Sequence, residues 1–312
     1  MAPQIGYLLP TRERVMDDNP AAAPLLGLAE RAELLGYDSI WIGDSLFARP
    51  RHEPLVLLAG VAGRTKRILL GTGVLLPVLR NPVQLAQQAA TLDQISEGRL
   101  ILGVGIGADE PSIRAEFAAV GVPFEKRAGR LLECMQLCRA LWTGKPVTWD
   151  GRWRLDNVII GPVPHRKGGP PIWMGGNTPG AMHRAARHFD GWFPISPSPA
   201  IFAERWQEVL ALAREAGRDT NGFAGAMYMT VSIDDDKARA EARLGEFLES
   251  YYPGRGELMK KHQAWFAGPL SAAAEWLRAY GDAGLTHFVI RFPGDHERHL
   301  EAIATIRNQM GW

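Results

Sequence analysis

RILLGTGVLLPVLRNPVQLAQQAATLDQISEGRLILGVGIGA, residues Arg67 to Ala108, is the stretch from which the fold can be read. Ile68, Leu69 and Leu70 form a short apolar run that stops at Gly71-Thr72-Gly73. A run of that length bounded by glycine reads as a buried strand. Asn81-Pro82 follows, a capping residue with proline at the first helical position. From Val83, apolar residues return at helical spacing through Leu85, Ala89, Leu92 and Ile95, until Ser96-Glu97-Gly98 ends the pattern. Leu100 to Val104 is a second apolar run, and it leaves through Gly105-Ile106-Gly107. This is a strand–helix–strand unit, whose connection should be parallel and right-handed. Glycine where each strand ends lets another group come close to the backbone.

The same alternation recurs outward in both directions. Strands are predicted at 4–9, 38–42, 68–70, 100–104, 172–174, 191–195, 224–233 and 286–291. Helices are predicted at 21–35, 54–62, 83–95, 125–142, 179–187, 198–216, 235–251, 271–280 and 296–309, with a short one near 262–266. Ser271 and Glu275 match a capping box for the helix at 271. Residues 12–19 and 108–124 read as loops, and 144–164 as an inserted hairpin turning at Asp150-Gly151. Roughly eight β/α units argue for an α/β fold, a (β/α)₈ TIM-type barrel with insertions, forming one domain over 1–312. An open doubly wound sheet is the alternative.

Composition narrows the class of function. A net charge of +1 gives no reason to expect nucleic acid or an anionic membrane as partner. Hydrophobic content is 46% without a run of membrane-spanning length. The start, MAPQIGYLLP, lacks the features of a secretory signal. Cys134 and Cys138 lie one helical turn apart and read as ordinary thiols. A cytoplasmic protein acting on a small molecule is expected.

In such barrels the active site lies where the strands end. The unusual residues of this chain fall there: Asp44, Thr72-Gly73-Val74, Ile106-Gly107, and Gly175-Gly176-Asn177-Thr178. The glycines at 103, 105 and 107 do not have dinucleotide-fingerprint spacing, and a tight strand exit explains them equally well. Gly176-Asn177-Thr178-Pro179 puts a helix N-terminus behind a glycine pair, a natural phosphate seat. Thr178 would add a hydroxyl donor there, or act only as the cap. Asp44 suits a ring N–H or hydroxyl, or a plain turn. Asp109 and Glu110, in the loop after the fourth strand, are the candidate acid or base; a solvated loop is the other explanation. No metal motif survives, since His296 and His299 do not form H-E-x-x-H, and no G-x-S-x-G supports a hydrolase.

Taken together, GTGVLLP (71–77) with Asn81-Pro82, AATLD (89–93), SEGR (96–99), LGVG (102–105), GVPF (121–124) with Arg127, and PPIWMGGN (170–177) are familiar. The chain resembles the luciferase-like monooxygenase superfamily, and within it the F420-dependent oxidoreductases, over nearly its full length. The resemblance implies a (β/α)₈ barrel, often dimeric, that binds FMN or the deazaflavin F420 at the C-terminal face. It implies a cis peptide at Gly73–Val74 behind the cofactor ring, Asp44 near the cofactor, and Gly175 to Thr178 as the phosphate-binding turn. One departure stands out: the sugar-phosphate dehydrogenases of the family carry a histidine after that aspartate, and here the residue is Ser45. Serine is a poor general base at neutral pH. The family's glutamate after the fourth strand has Asp109 or Glu110 as its nearest match.

The expected function is therefore an oxidoreductase that uses F420 to move a hydride to or from a small organic substrate. An FMN-dependent monooxygenase that activates O₂ is the alternative, and a non-catalytic flavin-binding protein the second alternative. Arg12, Arg14, Arg49, Arg51 and Arg80 are predicted on the cofactor face, where they would meet an acidic cofactor tail or an anionic substrate; a solvated basic rim explains them equally well. A homodimer is expected.

Overall fold

The computed structural model describes residues 2–312. The chain runs β1 (Gln4–Leu8), α1 (Thr11–Met16), α2 (Ala23–Leu34), β2 (Ser39–Ile42), α3 (Pro54–Arg64), β3 (Leu69–Thr72), α4 (Pro82–Ile95), β4 (Leu100–Val104), α5 (Pro111–Ala119) and α6 (Arg127–Leu141). A hairpin of β5 (Val147–Asp150) and β6 (Arg154–Val158) follows. Then come β7 (Ile172–Gly175), α7 (Pro179–His188), β8 (Gly191–Phe193), α8 (Pro199–Glu215), β9 (Ala224–Ile233) and α9 (Lys237–Tyr251). The chain ends with α10 (Gly256–His262), β10 (Ala264–Gly268), α11 (Leu270–Asp282), β11 (His287–Arg291) and α12 (His296–Met310).

Eight parallel strands close into a barrel in the order β9-β11-β1-β2-β3-β4-β7-β8, and β8 pairs back onto β9. The hairpin pairs only with itself, so it lies outside the barrel. Helix starts obey local chemistry. Asn81 Oδ1 accepts from Val83 N at 2.9 Å, and Ser198 Oγ accepts from Ile201 N at 3.3 Å, each followed by proline.

The barrel interior is filled by aromatic rings set against glycines. Trp41 of β2 meets Trp173 of β7 at 5.3 Å and Phe193 of β8 at 5.3 Å. These strands are not neighbours, so the contacts cross the interior. A Cβ on Gly71 would sit 2.2 Å from the Trp41 ring, and one on Gly6 2.5 Å from Trp41 Nε1. Glycine on β1 and β3 thus makes room for the fully buried tryptophan between them.

Four expectations are corrected. Residues 12–16 of the loop expected at 12–19 belong to helix α1, six residues long and too short to be stable by local propensity. Residues 108–124 contain α5, which buries Ile113, Glu116 and Phe117; Pro111 at its first turn was the available signal. The helix expected near 262–266 ends at His262, and β10 takes its place. Strand β9 spans ten residues and β8 only three, so the upper half of β9 would be an open edge; β10 pairs with Met229–Ile233 and covers it. Ser271 lies inside α11, which begins at Leu270 without a side-chain cap, so there is no capping box.

Candidate active site

Where β3 leaves the barrel the backbone forms a tightly tied step. The Gly73–Val74 peptide is cis. Gly73 N–H donates to Ile42 O (2.8 Å), Leu75 N–H to Gly103 O (2.7 Å), and Gly105 N–H to Leu75 O (2.8 Å). The Val74 side chain projects between two further glycines. A Cβ on Gly105 would lie 2.7 Å from its Cγ2, and one on Gly175 3.1 Å from its Cγ1. Thr72 is fully buried, and its Oγ1 donates to Gly103 O at 2.8 Å; it ties β3 to β4 rather than facing the cavity.

Above this step lies a cavity of about 660 Å³. That is the size range of small-molecule and cofactor sites. Asp44, Gly73, Val74, Ile106, Gly107, Asp109 and Gly175 to Thr178 all line it. Asp44 fixes the β3 exit: its carboxylate accepts from Leu76 N (2.8 Å) and from Arg80 through both oxygens (2.5 and 3.0 Å). Arg80 also reaches Glu53 at 3.0 Å. It is therefore not a free rim cation. Ser45 donates to the fully buried Glu116 at 2.6 Å and accepts from Arg49 N at 2.8 Å. Glu116 also accepts from Phe47 N and Ala48 N, so it anchors the loop after β2.

At one end of the cavity stands the N-terminus of α7. Thr178 Oγ1 accepts from Ala181 N at 3.3 Å, which leaves its hydroxyl proton free to donate into the cavity. Asn177 is braced by Ile195 O at 3.2 Å. Two guanidiniums that the strand-end pattern did not assign to the site, Arg127 and Arg184, line this end. The Nε of each is buried without a hydrogen-bond partner. Burial, and then the charge of Arg127, lower the pKa of Arg184. Like charges gathered at a helix N-terminus form an oxyanion site. Arg127 could have been suspected from its place after Gly121–Phe124; Arg184 gave no signal.

The opposite wall combines arginine with tyrosine. Arg49, Arg51, Tyr228, Tyr251 and Tyr252 line it. Arg51 Nη2 reaches Tyr251 Oη at 3.4 Å. Burial alone would raise the Tyr252 phenol, but the charges of Arg291 and Arg49 outweigh it and hold the group below its ordinary range. Neighbouring Tyr228 is raised, chiefly by burial. Asp109 and Glu110 occupy different settings. Asp109 is exposed and pairs with Arg114 through both oxygens (2.6 and 3.0 Å). Glu110 bridges Arg49 (2.9 Å) and Arg255 (2.6 Å), joining three loops at the cavity edge. Burial works to raise the Glu110 carboxyl, and the two arginines more than offset it.

The signature described as luciferase-like monooxygenase matches residues 3–311. The chain belongs to this family. It is 32% identical over 313 residues to the F420-dependent glucose-6-phosphate dehydrogenase of Nakamurella multipartita, with 88% of each chain covered. It is 33% identical over 224 residues to the 5,10-methylenetetrahydromethanopterin reductase of Methanolobus tindarius, covering 70% of this chain and 65% of that one. Among solved structures, an F420-dependent secondary alcohol dehydrogenase in complex with an F420-acetone adduct superposes with a TM-score of 0.83 at 23% identity, covering 98% of each chain. The barrel of this luciferase-like protein is thus the family's fold.

The residues present fit a cofactor of the kind those relatives' names give. Val74 and the glycines around it form an apolar floor, and Arg127, Arg184, Thr178 and the first amides of α7 form a donor set for a phosphate.

Proposed function

We propose that this chain is an F420-dependent oxidoreductase that transfers a hydride to or from a small organic substrate. The observation that carries the proposal is the pairing of the Val74 floor with two guanidiniums at the start of α7 that make no ion pair among the described residues and each leave Nε without a partner. A deazaflavin, when bound, supplies the hydride chemistry. Arg127, Arg184 and Thr178 would hold its phosphate. The Asp44–Arg80 pair keeps the floor in place, and the Arg49–Glu110–Arg255 bridge narrows the cavity edge against water. No histidine lines the cavity among the described residues, and the Ser45 proton is committed to Glu116. Among the lining phenols Tyr252, whose pKa the nearby arginines lower, is assigned to hold or pass a proton. Asp109 is solvated beside Arg114, which suits rim contacts better than proton transfer. Glu110, the other candidate acid or base, is occupied by two arginines.

Two guanidiniums around one seat also suit a terminal phosphate dianion. An FMN-dependent monooxygenase is therefore the second proposal. A homodimer, an undivided barrel domain over 1–312 and a cytoplasmic location belong to the same proposal. No helix among the described residues is long and apolar enough to cross a membrane.

Titration of the protein with F420 and with FMN, followed by fluorescence, tests the cofactor. Tighter binding of F420 is expected. Thr178→Ala should weaken F420 by about 1.5–3 kcal/mol, as for one hydrogen bond to a charged group, while a lost cap costs the fold about 1 kcal/mol. Unchanged affinity with a lower melting temperature would reduce Thr178 to a plain cap, and tighter FMN binding would favour the second proposal.

A further inference from the structure

The wall facing the phosphate end carries more positive charge than its acids balance. Arg12 arrives from α1, Arg49 and Arg51 from the loop after β2, Arg255 from the turn between α9 and α10, and Arg291 from the end of β11. The acids that face them are Glu13 and Glu110. Glu110 is spent on Arg49 and Arg255. Glu13 feels the charges of Arg291, Arg51 and Arg12, yet burial, its largest influence, pushes it toward the neutral form. Among the described residues, Arg12, Arg51 and Arg291 make no ion pair. Arg12 is 8% exposed with Nε and Nη1 unpartnered, and Arg291 is 1% exposed with Nη1 unpartnered. Their neighbours are aromatic faces: Tyr251 lies 4.2 Å from the Arg12 guanidinium, and Tyr251 and Tyr228 lie 4.3 and 4.8 Å from that of Arg291. Arg51 packs against Gly43, where a Cβ would overlap its Nη1.

Desolvated cations stacked on rings still lack a counter-charge. In barrel order β1, which leads into Arg12, stands opposite β7, which leads into the phosphate seat. One cofactor phosphate at α7 therefore does not neutralise this wall. Between the two ends the lining is apolar, with Val74, Ile106, Phe193 and Ile195.

We propose that this arginine–tyrosine chamber is the substrate subsite, and that the substrate is an organic oxyanion: a carboxylate or phosphate ester on an apolar body, with its charge held by Arg51 against Tyr228, Tyr251 and Tyr252. The proposal rests on the F420 reading for what is done to that substrate, but not for its binding.

Calorimetric titration of the full chain without added cofactor tests it, using benzoate, phenyl phosphate and benzyl alcohol as probes. Benzoate should bind ten-fold or more tighter than benzyl alcohol, or phenyl phosphate should do so in Arg184→Met, where the α7 seat is impaired, and the tighter anion in that variant names the group. Arg51→Met keeps the length of the side chain and should weaken that anion by about ten- to a hundred-fold. Arg184→Met should leave benzoate binding unchanged. Arg12→Met provides a second variant should Arg51→Met not fold, and added sodium chloride should weaken benzoate without affecting benzyl alcohol. Benzyl alcohol binding as well as both anions, or benzoate lost in Arg184→Met and kept in Arg51→Met, overturns the proposal. F420 titrated into the same samples separates the two claims. F420 bound without anion preference sinks the subsite alone, and anion preference without F420 binding sinks the cofactor alone.

Discussion

Asp44 and Arg80 set the shape of the β3 exit. The Asp44 side chain is 3% exposed and that of Arg80 15%, so the pair is largely out of water. Breaking such a pair leaves one charge buried and alone, at a cost of about 3–5 kcal/mol. Arg80→Met should lower stability by that order in urea denaturation. A loss below about 1 kcal/mol would mean that solvent, not Arg80, satisfies Asp44. His296 gives a second test. Its ring stands 2.9 Å from the Tyr7 hydroxyl, and burial, assisted by His299, holds its pKa down to about 4 in the fold. In the unfolded chain it lies near 6.5. Between those values the unfolded chain binds more protons, so stability is full above about pH 6.5 and falls as pH drops toward 4. One such group contributes at most about 1.4 kcal/mol per pH unit. His296→Gln should flatten the pH dependence of the unfolding free energy over that window; an unchanged slope would assign it to other groups.

Among the strands and helices, glycine has opposite meanings in two places. Gly71 on β3 faces the Trp41 ring so closely that a Cβ would overlap it. Gly63, exposed in α3, has nothing within 4 Å of a Cβ. Gly71→Ala should destabilise by about 1–3 kcal/mol through overpacking. Gly63→Ala should stabilise by about 0.4–1 kcal/mol, because alanine narrows the unfolded ensemble at no steric cost. Equilibrium denaturation of both variants decides the matter, and equal shifts would remove the packing argument. Element types were legible where a local rule applied. Asn81-Pro82 and Ser198-Pro199 start helices because cap and proline are adjacent in sequence. Helix α1 and strand β10 were not legible, because Arg12 under Tyr251 and the bare edge of β9 are long-range circumstances.

Across the barrel mouth, charge is distributed in a way that bears on cofactor choice. F420 carries an acidic tail beyond its phosphate, whereas FMN ends there. The arginines expected to form a groove for that tail are placed otherwise: Arg80 is paired, and Arg49 and Arg51 stand on the tyrosine wall. The cations by the phosphate seat that make no ion pair among the described residues are Arg127 and Arg184. A multiply charged tail near them is attracted over a range screened at about 8 Å in physiological salt. F420 affinity should therefore fall more steeply with added salt than FMN affinity, measured as the slope of log Kd against log salt. Equal slopes would mean that the protein meets only the phosphate.

The position of the site was open to reading because it depends on neighbours in the chain. Strands that end in glycine, as β2, β3, β4 and β7 do, and helices that begin with a cap and proline, as α4, α7 and α8 do, mark the same end of their β/α units, and closing the barrel brings those ends together. Asp44, Val74 and the Gly175 to Thr178 turn lie around the cavity for that reason. Charge state and partners followed another logic. Arg51 meets Tyr251 across 200 residues, Glu110 meets Arg255 across 145, and Ser45 finds Glu116 on a helix that sequence periodicity did not show. Whether a guanidinium is paired, stacked on a ring or left free for a ligand depends on which side chains the folded backbone brings within a few ångströms, and no local pattern encodes that.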